Sequence, residues 1–188
     1  MQSTSDPESL ASPREEDDSM LVKAAQRDPA AFIALYRRYV TPVYRYLYNH
    51  VGNPADAQDL TAQVFLEALE GLRRYRERGS FAGWLFTIAR RRVIGHYRDR
   101  PAVSLNDVPD LIEEDDVPSH VIQDEALQRL RVLVAQLDDD ERELLRLRFA
   151  AGLTFGQMSA VLGRGEAAVK MALHRLLGRL RAMWGDDR

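Results

Sequence analysis

Between Pro101 and Ser119 the chain carries three prolines, six acids, no base and no helical period. Each proline removes a backbone N–H and pushes its predecessor towards extended backbone, so no helix of useful length fits there. The stretch reads as an extended acidic linker, and it obliges the chain to fold as two small modules. Its scattered Val103, Leu105, Val108, Leu111 and Ile112 exceed what an inert spacer needs and suit docking in a partner's groove. The organisation expected is a disordered acidic tail over 1–18, a first module over 19–100, the linker over 101–119 and a second module over 120–184.

Both modules read as helical. Ser19 is placed as the cap of a short helix ending near Arg27, and Asp28-Pro29 restarts the chain as an N-cap acid with proline at the first helical position. The next helix buries Phe32, Leu35, Tyr36 and Tyr39, with a bend or restart at Thr41-Pro42. Gly52-Asn53-Pro54 ends it and caps a helix with Ala57, Leu60, Val64, Phe65 and Leu69 inside. The helix after Ser80 places Phe81, Trp84, Leu85, Ile88, Ala89 and Val93 on one side, and Arg91, Ile94 and Arg98 on another. Beyond the linker, Val121, Ala126, Leu130, Leu133 and Leu137 form one apolar side, and Asp138/Glu141 and Thr154/Gln157 have capping-box spacing. No alternating β pattern of convincing length occurs. The fold class expected is all-α: two helical domains, the second a helix-turn-helix, on a flexible acidic linker.

The formal net charge of −3 hides an uneven distribution. Residues 71–100 hold nine arginines against Glu77 and Asp99, and residues 164–181 hold five bases against Glu166. Two basic surfaces thus alternate with acidic strips, the pattern of a two-site polyanion binder. The chain has no cysteine and only four scattered histidines, which excludes disulfides and familiar metal spacings. No secretory leader, membrane-length apolar run, phosphate-cradling glycine loop or paired acid–base motif is read, so a soluble cytoplasmic protein without cofactor or catalysis of its own is expected.

Two constellations carry chemistry. After the glycine turn Gly163-Arg164-Gly165, the last helix turns Val169, Leu173 and Leu176 inward and Ala167, Lys170, Met171, His174 and Arg175 outward over its first turns. A recognition helix presents residues to base edges there, although a plain helical hairpin has the same pattern. Arg164, Lys170 and Arg175 suit phosphates; Ala167 and Met171 offer only apolar contact. The other constellation is the Arg73–Arg100 stretch, where arginines attract a nucleic-acid backbone or simply form a wet face. Phe81 and Trp84 fall on the apolar side, while Tyr75 and the loop to Ser80 are freer to hold an extruded base. Asp56, Asp59, Gln63 and Glu67 form an outward face, either solubilising or built for a basic partner.

DAQDLTAQVFLEAL resembles the acidic helix of bacterial sigma-70 factors, FAGWLFTIARRRVIGHYRDR their promoter-melting helix, and LDDDERELLRLRFAAGLTFGQMSAVLGRGEAAVKMALHRLLGRLR their promoter-reading domain. The two blocks joined by a short linker are similar to the extracytoplasmic-function (ECF) group. The resemblance implies a σ initiation factor whose partners are core RNA polymerase (β′ clamp helices and β flap), promoter DNA and, commonly, an anti-σ factor. It assigns Asp56, Asp59, Leu60, Gln63 and Val64 to the clamp helices. It assigns Arg76, Arg78 and Ser80 to the loop that captures a −10 base, and Arg90, Arg91 and Arg98 to the helix along the −10 DNA. It assigns Arg164, Ala167, Lys170, Met171, His174 and Arg175 to the −35 element. Gln58 and Ala62-Gln63 depart from the usual acids of the first motif, and Ala168, Met171 and Ala172 from the small polar residues and arginine of the reader. A helix-turn-helix regulator acting without polymerase is the alternative.

Overall fold

The computed structural model describes residues 13–76, 79–99 and 121–185. The linker, the first twelve residues and Arg78 therefore lie outside the described residues. Every regular element described is helical: α1 (Pro13–Arg27), α2 (Phe32–Val51), α3 (Pro54–Leu72), α4 (Phe81–Asp99), α5 (Val121–Ala135), α6 (Asp139–Leu145), α7 (Phe155–Leu162) and α8 (Glu166–Gly185). No helix among them is long and apolar enough to cross a membrane.

Local chemistry sets most of these boundaries. Asp28 accepts from the Ala30 N–H and opens a short 3₁₀ turn, Pro29–Ala31, that leads into α2. Gly52 closes α2 in the left-handed region (φ 67°), and Asn53 caps α3 by accepting from Ala55 and Asp56. Both expected capping boxes, Asp138/Glu141 and Thr154/Gln157, are formed. Ser80 Oγ accepts from the Gly83 N–H at 3.1 Å and caps α4.

Several expectations are corrected. The tail does not extend to residue 18: α1 starts at Pro13, Ser19 lies inside it, and Asp18 is 2% exposed. Asp18 is held by Arg38 at 2.7 Å and by the Tyr39 hydroxyl, so an acid read as solvated is a packing element. Pro42 does not restart the chain: α2 runs through it with Val43, Tyr46 and Leu47 anchored in the core. Tertiary burial there outweighs the proline penalty, about 3 kcal/mol in a helix interior from the lost bond and the ring clash together. Tyr36 and Leu69, read as inward, are exposed, as is Leu130. The helix that Asp138 opens widens over Arg146–Ala150 into a π-helical turn in which Ala151 N–H reaches Arg146 C=O. The wide turn buries Leu147 and sends Phe149 to the surface.

Helices α1–α4 form one bundle, with Leu35, Val43, Tyr46, Leu47, Val64, Leu85 and Phe86 sealed inside it. Burying each large side chain contributes about 1.5–3 kcal/mol. Helices α5–α8 form a second layer on Leu133, Leu144, Leu147, Met158, Val169 and Leu173, with Arg129 stacked over Trp184 to tie α5 to α8. The two modules are docked: α4 lies against α7 and α2 against the π turn, and their cores join in one cluster. Gly83 makes the approach possible, since a Cβ there would stand 3.2 Å from the Ala160 Cβ.

Candidate nucleic-acid interface

Helix α4 is central because three of its sides meet different surroundings. One side is core, carrying Phe81, Leu85, Ile88, Ala89 and Val93. A second side, with Gly83, is covered by α7. The third, bearing Thr87, Arg91, Ile94 and Arg98, faces solvent. Ala82 and Phe86 are buried as well, so the first two turns are apolar nearly all round.

The outer side of α4 meets α3 in an open groove of about 820 Å³, lined by Asp56, Asp59, Gln63, Glu67, Glu70, Arg91, Arg92, His96 and Arg98. Glu67 gathers two arginines: Arg92 donates to it at 2.8 Å through Nε, and Arg91 pairs with its other oxygen. Arg91 remains 66% exposed, so the pair is wet and exchangeable. The groove brings together the residues expected to touch polymerase and those expected to touch DNA. Leu60 lines the floor of the groove, whereas Val64 lies beneath it. They are 4% and 0% exposed and hold α3 in the core. The exposed apolar residues beside Asp59 and Gln63 are Leu66 and Leu69, with Ile33 and Tyr36 from α2. Helical spacing could have picked out Leu66, which stands outside the inward set.

The loop before α4 is built from its aromatics. Tyr75 packs 4.8 Å from Trp84 and edge-on to Phe81, and its hydroxyl donates to Gly79 C=O at 3.2 Å. Gln26 donates to Leu72 C=O and Tyr75 C=O, tying the start of the loop to α1. Tyr75 is therefore a wall of the loop rather than a free stacker. Ser80 spends its oxygen on the α4 cap, and Arg76 is exposed at the loop's edge.

Arg90 lies on the inner border, apart from Arg91. Its Nε stands 3.4 Å from Glu143 Oε1, the same oxygen that accepts from the Tyr46 hydroxyl at 2.8 Å. His50 Nε2 stands 2.9 Å from Glu143 Oε2, off the line of a good hydrogen bond. Burial alone would raise the Glu143 carboxyl, yet His50, Tyr46 and Arg146 draw it below the ordinary carboxylate value. Burial likewise holds the His50 imidazole below its ordinary value, so near neutral pH it meets Glu143 as a neutral ring. The Tyr46 hydroxyl is pushed well up, first by burial and then by Glu143, and stays a donor. Sequence reasoning missed Glu143, which looks like one more acid on a wet helix.

On the second module Ala167, Lys170, Met171, His174 and Arg175 all face solvent from the first half of α8, and Gly163 makes the turn into it at φ 64°. Phe155 lies beneath them, with Lys170 Nζ at 6.0 Å and His174 at 6.3 Å from its ring. Arg164 pairs with Asp140, which fixes the turn against α6.

Residues 35–102 match the Sigma-70 region 2 family and residues 127–180 the Sigma-70 region 4 family. The chain is 35% identical over 174 residues to the ECF RNA polymerase sigma factor BldN of Streptomyces coelicolor, covering 89% of this chain and 66% of that protein. It is 30% identical over 174 residues to the ECF RNA polymerase sigma factor SigK of Mycolicibacterium vanbaalenii, covering 89% of each. Among solved structures it resembles CnrH in complex with the cytosolic domain of CnrY (TM-score 0.66, 22% identity, 91% of this chain and 99% of that one). It also resembles the sigma factor RpoE bound to the anti-sigma factor NepR from Bartonella quintana (TM-score 0.62, 20% identity, 84% of this chain and 98% of that one). At these identities the two structures speak to the fold. Two family matches in the expected order, with relatives aligned along most of the chain, make this protein a member of the ECF group of the sigma-70 family of RNA polymerase sigma factors.

Proposed function

We propose that the protein binds core RNA polymerase, carries it to promoters with two spaced elements, and stabilises strand separation by binding alone. The observation that carries the reading is the α3–α4 groove, where an acidic face lies directly beside an arginine face, with Leu66 and Leu69 exposed elsewhere on α3. A basic, grooved partner such as the clamp helices suits Asp59, Gln63, Leu66 and Leu69. DNA suits Arg91 and Arg98 on the same groove's far wall, with Arg76 at the loop where an unstacked base would be held. The outward face of α8 suits the upstream element through phosphate contacts of Lys170 and Arg175 and apolar contact of Met171.

An anti-σ factor is a further expected partner, since the neighbouring folds were solved with one or with a bound cytosolic domain. A helix-turn-helix regulator would bind its duplex tightly without polymerase. The deciding experiment is transcription in vitro with core enzyme and a promoter library. The expected result is initiation at a discrete promoter set only when this protein is added. Initiation no better than with core enzyme alone overturns the reading.

A further inference from the structure

The docking of the two modules is organised around one carboxylate. Glu143 is 6% exposed and reaches across from α6 to three groups of the first module: Tyr46 and His50 on α2, Arg90 on α4. Packing within the first module helps to place them. Tyr46 is wedged edge-on between Phe86 (5.5 Å) and His50 (4.7 Å), and Arg90 follows the buried Ala89 on α4. Three groups of the first module, drawn from two helices, thus converge on one carboxylate of the second. Arg146 accompanies Glu143 and donates to Asn49 C=O at 3.0 Å, which adds a second polar tether.

The filling is incomplete. Glu143 Oε2 and His50 Nε2 touch without a well-aligned hydrogen bond, and Asn49 Oδ1 is buried without a partner. A buried charge with imperfect partners holds a geometry without greatly stabilising it, because desolvation offsets much of the attraction. Such a contact suits a reversible dock.

We propose that Glu143 is an internal stand-in for a DNA phosphate, occupying a Tyr46–His50–Arg90 anion site on the first module, so that the docked form and phosphate binding at Arg90 exclude each other. A phosphodiester oxygen offers the same charge and the same acceptor lone pairs as the carboxylate. Docking also lays α7 across the Gly83 side of α4, so undocking frees the site and the helix beside it together. The proposal rests on the reading of α4 as a DNA-facing helix.

The test uses the absence of native cysteine. Gly83→Cys with Ala160→Cys places two sulfurs at the docking contact, and they come within disulfide geometry once α7 gives by the few tenths of an ångström that a Cβ at residue 83 requires. Binding of a fluorescent forked DNA at low salt is read by anisotropy, without polymerase. The oxidised protein is expected to bind at least tenfold more weakly than the same protein reduced. In the cysteine-free chain, Glu143→Gln is expected to bind severalfold more tightly than wild type, and adding Arg90→Ala is expected to erase that gain. In the cysteine pair, Glu143→Gln is expected to slow disulfide closure severalfold. Equal binding by oxidised and reduced forms overturns the exclusion. A gain that survives Arg90→Ala overturns the phosphate site, and unchanged disulfide closure overturns the role of Glu143. If the cysteine pair fails to fold, Glu143→Gln binding no tighter than wild type overturns the proposal on its own. No binding by the reduced form removes DNA as the ligand, and the proposal falls. Polymerase is absent throughout, so failure of the proposed function would show separately, as lost initiation.

Discussion

Two acids each gather arginines from α4, and they do so in opposite ways. Glu67 holds Arg91 and Arg92 at the rim of an open groove, while Glu143, itself buried between the modules, holds a half-exposed Arg90. Arg90 and Arg91 are neighbours in sequence, yet one helical step of 100° takes the side chain from a module interface to water. Exposed pairs of the first kind are worth about 0–1 kcal/mol, so Glu67 restrains its arginines without removing them from a ligand's reach. The second kind sets a geometry, because a buried charge tolerates few alternatives. The same helix thus carries a standing binding face and one already engaged by a buried carboxylate.

The comparison breaks most readily by deleting the two acids in parallel. Glu143→Ala leaves Arg90, Arg146 and His50 facing one another, which would cost on the order of 3–5 kcal/mol if the modules stayed docked. They can part instead, so the expected outcome is loss of the α4–α7 contact, read as rapid amide exchange in α7 while α2 and α3 stay protected. Glu67→Ala is expected to shift the urea midpoint by less than about 1 kcal/mol and leave α7 protected. Equal effects from the two substitutions would erase the distinction.

Next in size is the groove's other wall. Asp59→Arg together with Leu66→Glu should lower affinity for core polymerase at least tenfold, measured by competition with the unmodified protein. Both residues are solvent-facing and off the core, so circular dichroism should be unchanged. The same double change on the Glu143 side of the molecule would unfold or undock something. On α3 it should not.

Acidity acts on the inner cluster with a defined sign. His50 faces Glu143 from α6, Arg146 from the π turn, Arg90 from α4 and Tyr46 from its own helix. Burial holds its pKa below the ordinary 6.5 in the docked form, so the undocked form binds the proton more readily. Docking free energy is therefore full above 6.5 and falls as pH drops from there through the depressed value, by at most about 1.4 kcal/mol per pH unit for one proton. Glu143, also depressed, adds a loss of the same sign below 4.5. Amide exchange in α7 measured from pH 7.5 to 5.5 should quicken in wild type and lose that dependence in His50→Gln.

What the sequence disclosed and withheld follows the range of the forces involved. Caps act within three residues, so Asp28, Asn53, Asp138 and Thr154 were legible, and with them most helix starts. Apolar periodicity fixed the core sides of α3, α4 and α8 for the same reason. Pro42 misled because its penalty is local while the packing of Val43, Tyr46 and Leu47 that overrides it is not. Leu60 and Val64 entered the docking set by resemblance, although their own spacing placed them inside. Glu143 was illegible because Tyr46 lies across the linker from it, as Asn49 does from the neighbouring Arg146, 97 residues apart in each hydrogen bond. The π turn that delivers Arg146 has no cue in its residues that we can identify.

The smallest expected effect is the sharpest test of the opening contrast, because it compares adjacent residues. Arg91→Ala removes a wet pair, so the free protein's stability should change by less than about 0.5 kcal/mol. On DNA it should remove one phosphate contact and flatten the slope of log affinity against log salt by about 0.7–0.9. Arg90→Ala should behave differently in the free protein: it strips a cation from the buried Glu143 and loosens the docked form, so α7 exchanges faster. With DNA it removes the contact that the loosening exposes, and the two consequences oppose each other. Net affinity should then change less than for Arg91→Ala, although the salt slope falls by a similar amount. Stability, exchange and slope measured side by side separate an arginine that waits in solvent from one held by a carboxylate in the place of a phosphate.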